Sequence, residues 1–221
     1  MTEMQFAVGF GAVDITPPVG LKMCGALEPR VSVGITDPLM AKSLVATDGE
    51  RRLAIVGVDI VGLPRAIMDR AIAEIAARTG LDPEAVIISC SHTHSGPYTM
   101  GPFFLDALDA DYLGSLPDRI AASVAQAAAA LKPATMHLGR SLVYNGPHHR
   151  LMLAKDGKAM NSWMAESLND LATSPQIVGA CGPIDPELWV VRFDGLDGQP
   201  LGVFFNFSVH TNSHFGITWS A

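Results

Sequence analysis

Cysteine, charge and long apolar runs are all scarce in this chain of 221 residues, and each scarcity closes off a class of protein. Its three cysteines, Cys24, Cys90 and Cys181, are odd in number and widely separated, with no C-x-x-C pair. A disulfide scaffold or a cysteine-based zinc knot needs the opposite, so reduced thiols in a cytoplasmic protein are expected. Charged residues make up 17% of the chain and leave a formal net charge of −7. Basic runs and basic amphipathic helices are lacking, which disfavours a nucleic-acid surface and docking to anionic lipid. No apolar stretch reaches the roughly 20 residues of a membrane span, so no stable membrane insertion is expected. Met1-Thr2-Glu3-Met4-Gln5 shows no basic region leading into an apolar one, so no signal peptide is expected either. Internal repeats, low-complexity tracts and domain linkers are missing as well.

What is present describes a globular interior. Hydrophobic residues are 48% of the chain and the mean hydropathy is +0.26, which argues against disorder, and the length suffices for one domain with a sizeable core. Phe6 to Asp14 alternates weakly before Thr16-Pro17-Pro18, and residues 19–37 read as a long Gly/Pro-rich loop. Leu39–Thr47 and Arg52–Val61 form a hairpin around Asp48-Gly49. Pro64 opens a helix that Gly80 caps. A second helix is expected from Pro117 to Pro133, then a short strand at Thr135–Leu138, a possible short helix at Trp163–Leu171, and a hairpin of Leu188–Phe193 with Leu201–Val209 around Asp197-Gly198. This order predicts an α/β fold with mixed β-sheets flanked by helices, as a single domain over 1–221.

The most informative stretch is His92-Thr93-His94-Ser95-Gly96-Pro97. It follows Val86-Ile87-Ile88-Ser89-Cys90-Ser91, which reads as a buried strand of β-branched residues. Side chains two apart on an extended backbone point the same way, so both imidazoles can face one point, and Gly96-Pro97 then turns the chain. Imidazole nitrogen is a preferred zinc ligand. A pair of turn histidines bonded to backbone fits an isolated H-x-H equally well, so a second anchor matters. Leu201–Val209 supplies it: another apolar strand, leading into His210. Open α/β sheets place ligand chemistry at the carboxyl ends of strands, where such histidines can meet in a metal site. An H-x-H hydrolase of the TIM-barrel type fits poorly, since that architecture takes ~250 residues and would place the motif on its first strand.

Five segments in order carry a family resemblance: Gly9-Phe10-Gly11-Ala12-Val13-Asp14-Ile15-Thr16-Pro17-Pro18, Gly34-Ile35-Thr36-Asp37-Pro38-Leu39, the His92–Pro97 run, Asp185-Pro186-Glu187, and Asn206-Phe207-Ser208-Val209-His210. Together they resemble the N-terminal, metal-binding portion of the neutral/alkaline non-lysosomal ceramidases, a family of zinc amidases. The resemblance implies that His92 and His210 bind Zn2+ and that His94 faces the substrate. Asn145-Gly146-Pro147-His148-His149-Arg150 resembles the family's N-P-x-x-E-R segment, with His149 where the family has an acidic residue. Arg150 is thereby implied as an active-site arginine, with Arg140 the fallback and a surface ion pair the alternative for either.

Other polar residues carry quieter expectations. Asp59 either orients a ligand histidine or satisfies loop N–H groups. Asp14, Asp37 and Asp185 read as turn-formers, His148, His149 and His214 as loop residues, and His137 as structural. In the family a glutamate and a tyrosine from the later half complete the zinc site, whereas this chain stops at Ala221. The expectation is therefore an association with a further C-terminal segment or a second chain. The implied function is zinc-dependent hydrolysis of an amide bond in an N-acyl or other small-molecule substrate, extending to a soluble amide, a lactam or an ester rather than ceramide, with the loop around Phe103 and Phe104 lining the apolar part. The competing expectation is a non-catalytic regulatory or scaffolding domain that keeps the fold.

Overall fold

A computed structural model of the chain describes residues 6–26, 29–100, 109–145, 149, 151–161, 177–211 and 216–221. In chain order the elements are β1 (Ala7–Asp14), β2 (Lys22–Met23), β3 (Arg30–Val31), β4 (Gly34–Ile35), β5 (Met40–Thr47), β6 (Arg52–Val58), α1 (Arg65–Thr79), β7 (Val86–Cys90), α2 (Ala110–Ala129), β8 (Lys132–Leu142), β9 (Leu151–Ala154), β10 (Ala159–Asn161), β11 (Ile177–Ala180), β12 (Glu187–Gly195), β13 (Pro200–Phe207) and β14 (Thr218–Trp219). A seven-stranded sheet runs β13-β12-β8-β1-β5-β6-β7. β1 is antiparallel to β5 and β8, β5 is antiparallel to β6, and β6 is parallel to β7. The fold is therefore mixed α/β. The chain divides into two compact units, one of residues 1–137, 191–204 and 211–221, the other of 138–190 and 205–210.

In the first unit both helices cover one face of the sheet, and the sequence shows how. β1 alternates Gly9 and Gly11 with Val8 and Phe10, and the two glycines lie under α2. A Cβ on Gly9 would stand 2.9 Å from the Ala130 carbonyl carbon, and one on Gly11 would stand 2.7 Å from the Ala127 nitrogen. Only a residue without a Cβ lets the helix backbone come this close. The helix is correspondingly rich in alanine, and its Ser123 hydroxyl meets that of Ser43 at 2.6 Å. Leu116, Ile120 and Val124 of α2 are fully buried beside Val45, Val56 and Val58 of the sheet and Ile75 of α1. Each such side chain contributes about 1.5–3 kcal/mol by leaving water. On the opposite face Val8, Leu44, Ala46, Ala134 and Phe193 form a smaller cluster, with Phe10, Leu201 and Phe204 packed against it.

The first helix matches its expected limits, with Pro64 at its start and Gly80 ending it in the left-handed conformation at φ +66°. The second begins seven residues before Pro117. Asp109 caps it by accepting from the Tyr112 N–H at 2.7 Å, and Pro117 sits buried inside. Burial of the stripe Tyr112, Leu113, Leu116, Ile120 and Val124 outweighs the one intrahelical hydrogen bond that the proline forgoes. The span 19–37 is not all loop, since it carries β2, β3 and β4. The strand expected at Thr135–Leu138 belongs to the longer β8. β7 is an edge strand with Ile87 60% exposed, not a fully buried one.

The second unit contains a separate antiparallel sheet, β10-β9-β11. Arg140 pairs with Glu187 and lies 5.3 Å over the Trp189 ring, and the Trp189 indole N–H donates to Glu187 at 2.7 Å. The expected helix at Trp163–Leu171 and the Phe103–Phe104 loop lie outside the described residues.

Candidate metal centre

The histidine loop leaves the sheet just after β7, and its geometry differs from an extended strand. Pairing with β6 ends at Cys90 opposite Val58. The Ser91 and His92 N–H groups then donate to the Val58 and Ile60 carbonyls at 3.0 and 3.1 Å, so the chain curls over the end of β6. His92 takes φ +61°, the one non-glycine left-handed residue among those described. Such a conformation costs on the order of 1–3 kcal/mol and persists where surrounding bonds hold it, characteristically at functional sites. Strand alternation therefore does not explain why the two imidazoles meet. The left-handed turn at His92 brings their ring centroids to 5.2 Å, edge to face.

Each ring is oriented through Nδ1. His92 Nδ1 lies 2.7 Å from the Val61 carbonyl and His94 Nδ1 lies 3.0 Å from the Gly25 carbonyl. A carbonyl only accepts, so it selects the tautomer with the proton on Nδ1 and leaves the Nε2 lone pair for a metal or another donor. The loop backbone is tied down on several sides. Thr93 donates to the Ser220 carbonyl at 2.8 Å, Ser220 N–H donates to the Ser95 carbonyl at 3.1 Å, and Cys24 N–H donates to the Gly96 carbonyl at 3.0 Å.

β13 ends at Phe207, so His210 does not close the strand itself. The Val209 N–H donates back to the Phe207 carbonyl at 3.0 Å, a tight turn between strand and histidine. The next residue, Thr211, donates its hydroxyl to the Ser91 carbonyl, one residue before His92. His92 and His94 in the first unit and His210 in the second are side chains of a type that can hold a metal ion. Neutral imidazole nitrogen suits Zn2+ among the common divalent ions, so these residue types fit the implied metal.

The other candidates separate clearly. Asp59 accepts from the Met40 N–H at 3.1 Å, with Lys42 at 4.0 Å, so it serves the sheet end. Asp14 and Asp185 accept from the N–H two residues on, at Thr16 and Glu187, and Asp37 accepts from the Ser220 hydroxyl at 3.0 Å. The first two are turn-formers, whereas Asp37 ties the segment ending at Ala221 to the loop after β4. Arg140 is engaged by Glu187 and Trp189, an ion pair at the surface. His137 faces Asp194 at 3.4 Å, and His149 Nδ1 lies 3.1 Å from the Leu151 carbonyl. Arg150, His148 and His214 lie outside the described residues. Cys24, Cys90 and Cys181 are free thiols, and burial pushes Cys90 up to about 11.

Sequence reading missed Arg30. It donates to the Cys24 carbonyl at 2.5 Å and to those of His94 and Gly216 at 2.6 Å each. Burial pulls its guanidinium down from the ordinary value while nearby Cys24 acts the other way; an arginine still stays charged. The only signal was an isolated arginine in a Gly/Pro-rich segment.

A mixed sheet followed by histidines of metal-ligating type is the frame within which the chain's relatives are compared. The family model described as neutral/alkaline non-lysosomal ceramidase, N-terminal, matches residues 6–216, and the chain belongs to that family. The neutral ceramidase of Pseudomonas aeruginosa is 26% identical over 223 residues, covering 96% of this chain and 31% of the relative. Neutral ceramidase A of Dictyostelium discoideum is 23% identical over 222 residues, covering 96% of this chain and 29% of the relative. The crystal structure of the Pseudomonas enzyme superposes with a TM-score of 0.74 at 26% identity, covering 98% of this chain and 34% of that one. The chain thus spans about a third of the length of the relatives it matches. Among the described residues no helix is long and apolar enough to cross a membrane.

Proposed function

We propose that this chain is the N-terminal part of a zinc-dependent amide hydrolase. The observation that carries the reading is the His92–His94 pair, ring centroids 5.2 Å apart and each Nδ1 on a main-chain carbonyl, on a ceramidase-family fold. His92 and His210 hold the metal, and a catalytic zinc supplies Lewis acidity and lowers the pKa of water at its open position. His94, held by the Gly25 carbonyl through Nδ1, faces the substrate and hydrogen-bonds the oxygen on which negative charge develops. Arg150 is the second group proposed to bind a substrate oxygen.

Two histidines leave the metal short of the three protein ligands that a hydrolytic zinc normally has. A carboxylate and a tyrosine from a further segment, or from a second chain, complete it in this reading. The substrate is an N-acyl amide, with a soluble amide, a lactam or an ester preferred over ceramide because the sequence shows no lipid-docking feature. The test is hydrolysis of short and long N-acyl amides by the chain supplied with its downstream segment. Turnover should be lost on chelation, restored by zinc, and lowered about 10²–10³-fold by His94→Ala. Turnover that survives both chelation and His94→Ala would refute the proposal.

A further inference from the structure

We propose that Arg30 is a positioning residue that fixes His94 through its main chain, an inference that rests on His94 serving the hydrolytic site described above. One guanidinium gathers three carbonyls from three separate segments: Cys24 at 2.5 Å, His94 at 2.6 Å and Gly216 at 2.6 Å. Arginine suits this task because its planar group offers five donors in a fixed fork, whereas lysine offers one compact charge. Charge-assisted bonds of this kind are about twice as strong as neutral ones, so the three segments move together.

The consequence for His94 follows from what Cys24 leads into. Gly25, the next residue, takes φ +92°, and its carbonyl meets His94 Nδ1 at 3.0 Å. A Cβ on Gly25 would stand 2.5 Å from His94 Cγ and 2.6 Å from its Cα, so the histidine is seated directly against the glycine backbone. Arg30 therefore grips the histidine from one side, through its own carbonyl, and holds the neighbouring residue of the seat from the other. Backbone pairing reinforces the seat, with Met23 bridging to Pro97 and the Tyr98 N–H donating to the Lys22 carbonyl at 3.0 Å. His92 is held differently: its Nδ1 lies on the Val61 carbonyl and its N–H donates to the Ile60 carbonyl. The Arg30 bonds to Cys24 and His94 thus converge on the His94 seat.

The test compares wild type, Arg30→Met and Arg30→Lys by ¹⁵N imidazole NMR of the protein, with His92 and His94 assigned by single replacement. Arg30→Met should leave the His92 ring signals and the fold unchanged and move the His94 ring away from the Nδ1-protonated tautomer. In the same variant, kcat on an N-acyl amide should fall about 10–100-fold, the range for groups that orient an active-site residue, with KM nearly constant. Arg30→Lys should give a smaller change in the same direction, and it carries the test alone if Arg30→Met does not fold. An unchanged His94 ring in a folded variant, or equal changes at His92 and His94, would overturn the positioning role. If wild type supplied with its downstream segment hydrolyses no amide while the His94-specific shift appears, the positioning role stands and the hydrolase reading fails.

Discussion

The two compact units differ in what their own sequence explains. In the first, glycine, alanine and β-branched residues fall where a helix must approach a sheet, and every fully buried large side chain among the described residues lies there. In the second, β9, β10 and β11 alternate only between half-buried and exposed positions, and Leu138, Leu142, Tyr144 and Phe205 are more than half exposed. Apolar residues outside a core do not determine a rigid arrangement by themselves. The difference teaches that the His92–His94 loop rests on a self-sufficient scaffold, whereas His210 follows a segment whose apolar side chains are left without a core among the described residues.

The contrast can be broken most severely at the closest helix–sheet approach. Gly11→Val should destabilise the first unit by at least about 3 kcal/mol, because the new side chain meets helix backbone that cannot step aside. Thermal or urea unfolding would read this, and a native-like midpoint would show that the approach is looser than described. A milder cut into the same core, Ile120→Ala, should cost about 2–5 kcal/mol. Leu153→Ala on β9 removes a partly exposed side chain and should stay within about 1 kcal/mol. Equal losses for the two would erase the distinction between the units.

A smaller effect separates their cysteines. Cys90 in the first unit has its thiol pushed from an ordinary value of 9.0 up to about 11 by burial, while Cys181 in the second is exposed. The thiolate is the reactive form, so alkylation near pH 8 should modify Cys181 well before Cys90. The sign of the linked stability effect follows. Between about 9 and 11 the unfolded chain releases the Cys90 proton while the folded chain keeps it, so folding weakens as pH rises through that window. Rapid modification of Cys90 in the folded chain would contradict its burial.

Much of this is legible in the sequence. The α/β class, the hairpin around Asp48-Gly49 and the capped first helix follow from turn residues and periodicity, because these are local signals. The early start of α2 was masked by Pro117, whose usual place is a helix's first turn. The left-handed turn at His92 had no signal, since it arises from bonds to Ile60 and Val61 on another strand's end. Arg30 was hidden for the same reason, as its partners at residues 24, 94 and 216 are far apart in sequence. Long-range ties to main-chain carbonyls leave little trace in residue type.

Metal content tests the central claim most directly. Elemental analysis of the purified protein should find about one zinc per chain, lost in His92→Ala and in His210→Ala and retained in His94→Ala. Equal loss in all three variants would make His94 a ligand rather than the substrate-facing group. A folded protein that takes up no zinc even with its downstream segment would contradict the metal site altogether.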